Sequence, residues 1–105
     1  MVLRTRYNFV FPSIMSIAAE LLLERQIIGL GIDTLSPDRP DNGFPVHKLI
    51  LGEDKFIVEN VANASRMPPV GAYSLALPIK INEGTEAPVR LVGMINNKES
   101  NLFKI

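Results

Sequence analysis

The chain has 105 residues, of which 47% are hydrophobic and 21% charged, with 11 acidic and 11 basic side chains and no cysteine. This is enough for one small domain and too apolar for a disordered chain. Balanced charge without a block of like sign argues against nucleic acid or an anionic membrane as a partner, and the missing cysteines exclude disulfides and thiolate metal sites.

In chain order, residues 1–5 read as a strand, with Val2 and Leu3 apolar, and residues 9–13 as a loop around Pro12. Arg4 and Arg6 ahead of a mostly apolar stretch imitate a secretory signal. Asn8, Pro12, Ser13 and Ser16 interrupt that stretch, which reads better as a strand followed by a capped helix. Ser16 is the expected N-cap of a helix over 17–25. Its apolar stripe is Ile17, Ala18, Leu21 and Leu22, with Glu20 and Glu24 facing solvent. No stretch reaches the roughly 18 uncharged apolar residues of a spanning helix. The cysteine-free chain is expected in the cytoplasm.

Residues 27–32 (IIGLGI) form a short apolar run suited to a strand buried on both faces, and the two glycines permit close backbone approach. The polar, proline-rich segment 33–43 follows as a loop at that strand's carboxyl end, where open α/β sheets place ligands. A short helix is expected over 46–51, ended by Gly52. Residues 56–58 form a strand with Glu59 at its carboxyl end. Residues 60–70 are irregular, with a helical turn, and stop at Pro68-Pro69. Tyr73, Leu75, Leu77, Ile79 and Ile81 alternate on one face of a strand over 73–81, and Tyr73 is expected to face the core. Pro78 places that strand at an edge or a bulge. A last strand over 88–95 precedes a polar tail, 96–105, expected to fray.

Several residues bear on chemistry. His47 is the single histidine, and Glu59 lies twelve residues beyond it. Imidazole and carboxylate are ordinary ligands for Zn, Mn or Fe, but this spacing is no local metal motif, and a capping or surface role competes with a site role for both. Asp33 should be a partly buried carboxylate whose simplest role is to bind loop amides. Ser36 has no visible base partner, so a serine nucleophile is not supported. Gly29-Leu30-Gly31 is not a dinucleotide fingerprint, because a loop rather than a helix follows it.

Residues 31–38 (GIDTLSPD) and 44–48 (FPVHK) resemble the cyclase family of metal-dependent hydrolases, which includes kynurenine formamidases and isatin hydrolases. Residues 57–63 (IVENVAN), 68–73 (PPVGAY), 76–80 (ALPIK) and 84–90 (GTEAPVR) resemble later stretches of the same family in the same order. The resemblance runs over about residues 2–95. It implies an α/β fold with a mixed sheet of the swivelling β/β/α type, here incomplete, with the C-terminal part of one domain over 1–95 and a tail over 96–105. It implies hydrolysis of an amide or cyclic amide C–N bond, arylformamidase-like, of the kind that converts N-formylkynurenine to kynurenine in tryptophan catabolism. His47 would be a metal ligand or proton-transfer group and Glu59 a metal ligand, both at catalytic positions, with Zn or Mn as the family's ion.

The family's principal ligands lie in an earlier H-x-G-T-H-x-D-x-P-x-H motif, which a chain with one histidine does not hold. The chain is therefore expected to open mid-domain, to retain no metal alone and to be inactive unless completed. Its expected partners are a small amide substrate and further copies of itself through exposed sheet edges. The alternative is a non-catalytic structural or interaction module of the same descent.

Overall fold

The computed structural model describes residues 14–95 in full, together with the backbone of Val2–Leu3 and Leu102–Lys104. The element order is β1 (Val2–Leu3), α1 (Ser16–Glu24), β2 (Gly29–Ile32), α2 (Pro45–Gly52), β3 (Phe56–Val58), a 3₁₀ turn (Ala64–Arg66), β4 (Ala72–Pro78), β5 (Val89–Ile95) and β6 (Leu102–Lys104). The expected loop over 9–13 lies outside the described residues. Two compact units divide the chain, residues 1–62 and 63–105. The class is α/β, with parallel pairing in one three-stranded sheet and antiparallel pairing in the other.

In the first unit β2 is central, parallel to β1 on one side and to β3 on the other. Leu30 and Ile32 are fully buried and, two apart, share one face of the strand. They join Ile14, Ala19, Leu22, Val46 and Ile50 in the core that α1 and α2 complete. The other face of β2 carries only Gly29 and Gly31. There the Phe56 ring lies in the space a Cβ on Gly29 would need, so a residue without a side chain lets the ring close over the backbone.

Three local expectations change. Met15, in extended conformation, is the N-cap of α1, and Ser16 is its first helical residue. The Met15 carbonyl accepts the amides of Ala18 and Ala19 at 2.9 and 3.2 Å, so the backbone opens the helix without a side-chain cap. The buried face of α1 is Ala19 and Leu22, whereas Ile17 and Leu21 are 66% and 47% exposed. Helix α2 includes Gly52, and the left-handed residue that ends its turn is Asp54, with φ 54°. Asp tolerates that conformation better than most side chains.

In the second unit β4 pairs with β5 from Ala72↔Ile95 to Pro78↔Val89, and β5 pairs with β6. β6 lies within the segment expected to fray. β4 is an edge of this sheet and ends at Pro78, a residue without an N–H donor that an edge strand tolerates. Tyr73 does not face a core: it is 72% exposed, and Leu75, Leu77, Ile79 and Ile81 are exposed with it. Among the described residues of this unit only Gly93 is buried, so the alternating face has no core to enter.

Candidate functional site

Loops leaving the carboxyl ends of β2 and β3 meet and form the site. After β2 the chain is tied down residue by residue. The Thr34 hydroxyl donates to the Ser36 carbonyl at 2.8 Å, and the Asp38 amide donates to Ser36 Oγ at 3.0 Å. The Ile14 amide donates to the Pro37 carbonyl at 2.7 Å. After β3, the Asn60 amide donates to the Thr34 carbonyl at 2.8 Å and the Val61 amide to the Ile32 carbonyl at 2.9 Å. These two bonds, made by the residues directly after Glu59, hold it beside the β2 loop.

Asp38 is fully buried, and its carboxylate is the hub. Oδ1 accepts the Val46 amide at 3.0 Å, and Oδ2 accepts the His47 amide at 2.9 Å. Oδ2 also lies 2.8 Å from His47 Nδ1. Asp38 thereby does the capping that Phe44, the formal N-cap of α2, does not: Phe44 sits in the left-handed region and makes no side-chain cap. Pro45 at the first helical position has no N–H to satisfy. Burial pushes the Asp38 carboxyl up. The bond from the His47 ring, the two amide bonds and the charge of the imidazole outweigh burial and hold it below its ordinary value.

The two residues expected at the site are brought together. His47 Nε2 lies 3.4 Å from Glu59 Oε1, with the two side chains 28% and 33% exposed. The Phe44 ring stands edge-on to the imidazole, centroids 5.7 Å apart at 87°. A cavity of about 340 Å³ opens over the pair, walled by Leu35, Pro40 and Phe44. Asp33 is half-buried, as expected of a residue that ends a buried strand.

Asp38 is the functional residue that sequence reasoning passed over. It caps a helix eight and nine residues away, so no local capping pattern announces it. The only signal is its place at the end of the 31–38 phrase.

No family model matches the chain. It is 32% identical over 83 residues to isatin hydrolase from Roseibium aggregatum, an alignment covering 74% of this chain and 32% of that protein. It also superimposes, with a TM-score of 0.73 and 32% identity, on a crystal structure of an isatin hydrolase bound to the product analogue thioisatinate, over 78% of this chain and 33% of that one. The chain belongs to the isatin hydrolase-like cyclase family. A "potential metal-dependent hydrolase with cyclase activity" agrees, at a TM-score of 0.64 and 31% identity, over 81% of this chain and 42% of that one. So does a "predicted metal-dependent hydrolase" from Bacillus stearothermophilus, also at 0.64 and 31%, over 81% of this chain and 41% of that one. The chain spans about a third of the length of the isatin hydrolase it matches.

A family of metal-dependent hydrolases implies a divalent ion, and the donor set can be tested against one. Asp38 has committed both oxygens to Val46 and His47. That leaves His47 Nε2 and the Glu59 carboxylate, and among the described residues no group of three His, Asp or Glu is placed to hold a metal. Catalytic zinc takes three protein ligands. The described residues therefore offer two donors and do not by themselves fit the ion. No helix among the described residues is long and apolar enough to cross a membrane.

Proposed function

We propose that this chain carries the His–Glu portion of a cyclase-family site for hydrolysing an amide or cyclic amide C–N bond in a small molecule. The arylformamidase type, with N-formylkynurenine as substrate in tryptophan catabolism, is the finer reading, placed in the cytoplasm. The observation that carries it is the 3.4 Å approach of His47 Nε2 to Glu59 Oε1 on the floor of an apolar-walled cavity. An imidazole and a carboxylate so placed can pass a proton between them and to a substrate held above. Leu35, Pro40 and Phe44 suit a flat, largely apolar substrate body.

Zn or Mn, the ions this family suggests, would need donors beyond His47 and Glu59. The test is therefore a chimera in which this chain replaces the matching third of isatin hydrolase. Hydrolysis of isatin or N-formylkynurenine is the expected result, with His47→Ala and Glu59→Gln each lowering kcat by about 10²–10⁴-fold. The unfused chain with added Mn or Zn is expected to give no turnover. A folded chimera as active with His47→Ala as without it would overturn the proposal.

A second reading rests on the uncovered β4 face. In it the chain is a non-catalytic module that associates with further copies of itself. Light scattering separates the two, since a monodisperse monomer contradicts association and leaves the hydrolase reading standing.

A further inference from the structure

We infer that Asp38 is a positioning residue that locks the His47 imidazole in its Nδ1–H tautomer, so that Nε2 turns its lone pair toward Glu59 and the cavity. Three donors converge on the Asp38 carboxylate, and two are fixed by the helix backbone: the amides of Val46 and His47 at 3.0 and 2.9 Å. The Val46 bond holds Oδ1 and the His47 bond holds Oδ2, the oxygen that meets the ring. Oδ2 then lies 2.8 Å from Nδ1. An ionised carboxylate only accepts, so the ring nitrogen at that distance must carry the proton. Two backbone amides already donate to the two Asp38 oxygens, an arrangement that favours the ionised carboxylate. The partner of one imidazole nitrogen sets which proton the other carries, and here the partner is buried and immobile.

The consequence falls on the other side of the ring. With Nδ1 as donor, Nε2 and Glu59 Oε1 are both acceptors 3.4 Å apart. Such a pair is completed by something positive between them, a transferable proton or a cation. A ring in the opposite tautomer would donate to Glu59 and close the gap. The use made of that lone pair rests on the hydrolase reading; the tautomer does not.

His47 is the single histidine, so its ring nitrogens can be observed without ambiguity. In the ¹⁵N-labelled chain, imidazole ¹⁵N shifts from long-range ¹H–¹⁵N correlations, taken on the alkaline plateau of the ring, should show Nδ1 protonated and Nε2 bare. Asp38→Asn retains a good helix cap, so circular dichroism should be little changed. With the amide oxygen on Val46, the NH₂ faces the ring and also the His47 backbone N–H, so one of the two cap bonds is given up. The expected result is a shift of the proton to Nε2, which a purely capping role would not produce. An Nε2–H or evenly mixed ring in the unmodified chain overturns the inference, and so does an Asp38→Asn ring that stays Nδ1–H. An inactive chimera alters neither outcome, so the failure of one idea is distinct from the failure of the other.

Discussion

At the scale of single residues, Asp38 decides more than the pair it supports. Its two oxygens serve three donors in a fully buried position. Truncation to alanine leaves two helix amides and a ring nitrogen without a partner. The expected loss is about 1–3 kcal/mol in denaturant-midpoint stability, the usual cost of orphaned buried donors. The same residue sets a pH dependence. Its carboxyl lies lower in the folded chain than its ordinary value of 3.8. The folded state therefore holds its proton less tightly than the unfolded one. The resulting stability is complete above the ordinary value and is lost as pH falls through the folded one. The stability gap between the unmodified chain and Asp38→Asn should thus narrow as pH falls below about 4. A gap that widened below about pH 4 would contradict the assigned direction. The surface pair Arg39–Asp41, at 3.1 Å with both side chains at least half exposed, should contribute little by comparison.

At the scale of elements, helix α1 shows where sequence pattern runs out. Its nine residues, SIAAELLLE, are apolar around most of the circumference, so several faces fit a helical stripe equally well. Packing chooses Ala19 and Leu22. Leu22→Ala should cost about 2–5 kcal/mol and Leu21→Ala within about 1, read from thermal or denaturant unfolding. Equal losses would mean the helix is rotated from the face described. β2 was legible because a GLGI run has few alternatives: its two leucine-type side chains must share one face and its glycines the other. β3 and Glu59 were legible for a similar reason, a three-residue apolar run ending in a carboxylate. The His47–Glu59 approach could be suspected only through resemblance, since the eleven intervening residues fold through a helix and a strand before the side chains meet. Asp38 was not legible at all as a cap, because its partners lie across a loop. The hydrogen bonds that aim it, Thr34 to Ser36 and Ser36 to Asp38, exist only once that loop has closed.

At the scale of the whole molecule the two units differ in what they bury. Residues 1–62 hold the core cluster. In residues 63–105, a sheet of three strands has only Gly93 buried among its described residues. A small sheet needs a covered apolar face to be stable by itself, and Tyr73, Leu75 and Leu77 of β4 are such a face left open, with Ile79 and Ile81 exposed just beyond it. β4 adds a second exposure. It is a seven-residue edge strand, AYSLALP, with no charged side chain along it, and edges are usually blunted by charge. Only Pro78, at its end, interrupts a row of groups able to pair with another strand. A second copy offers the same edge, so β4 against β4 about a two-fold axis is self-complementary. The expected outcome is association that rises over about a hundredfold concentration range in light scattering, with a melting temperature that rises alongside it. Leu75→Lys places a charge at the middle of β4 and on its open face. It should weaken association markedly while leaving the core of the first unit, and the ring signals of His47, unchanged. A sharp monomer at all concentrations, with Leu75→Lys indistinguishable from the unmodified chain, would show that β4 does not pair with itself.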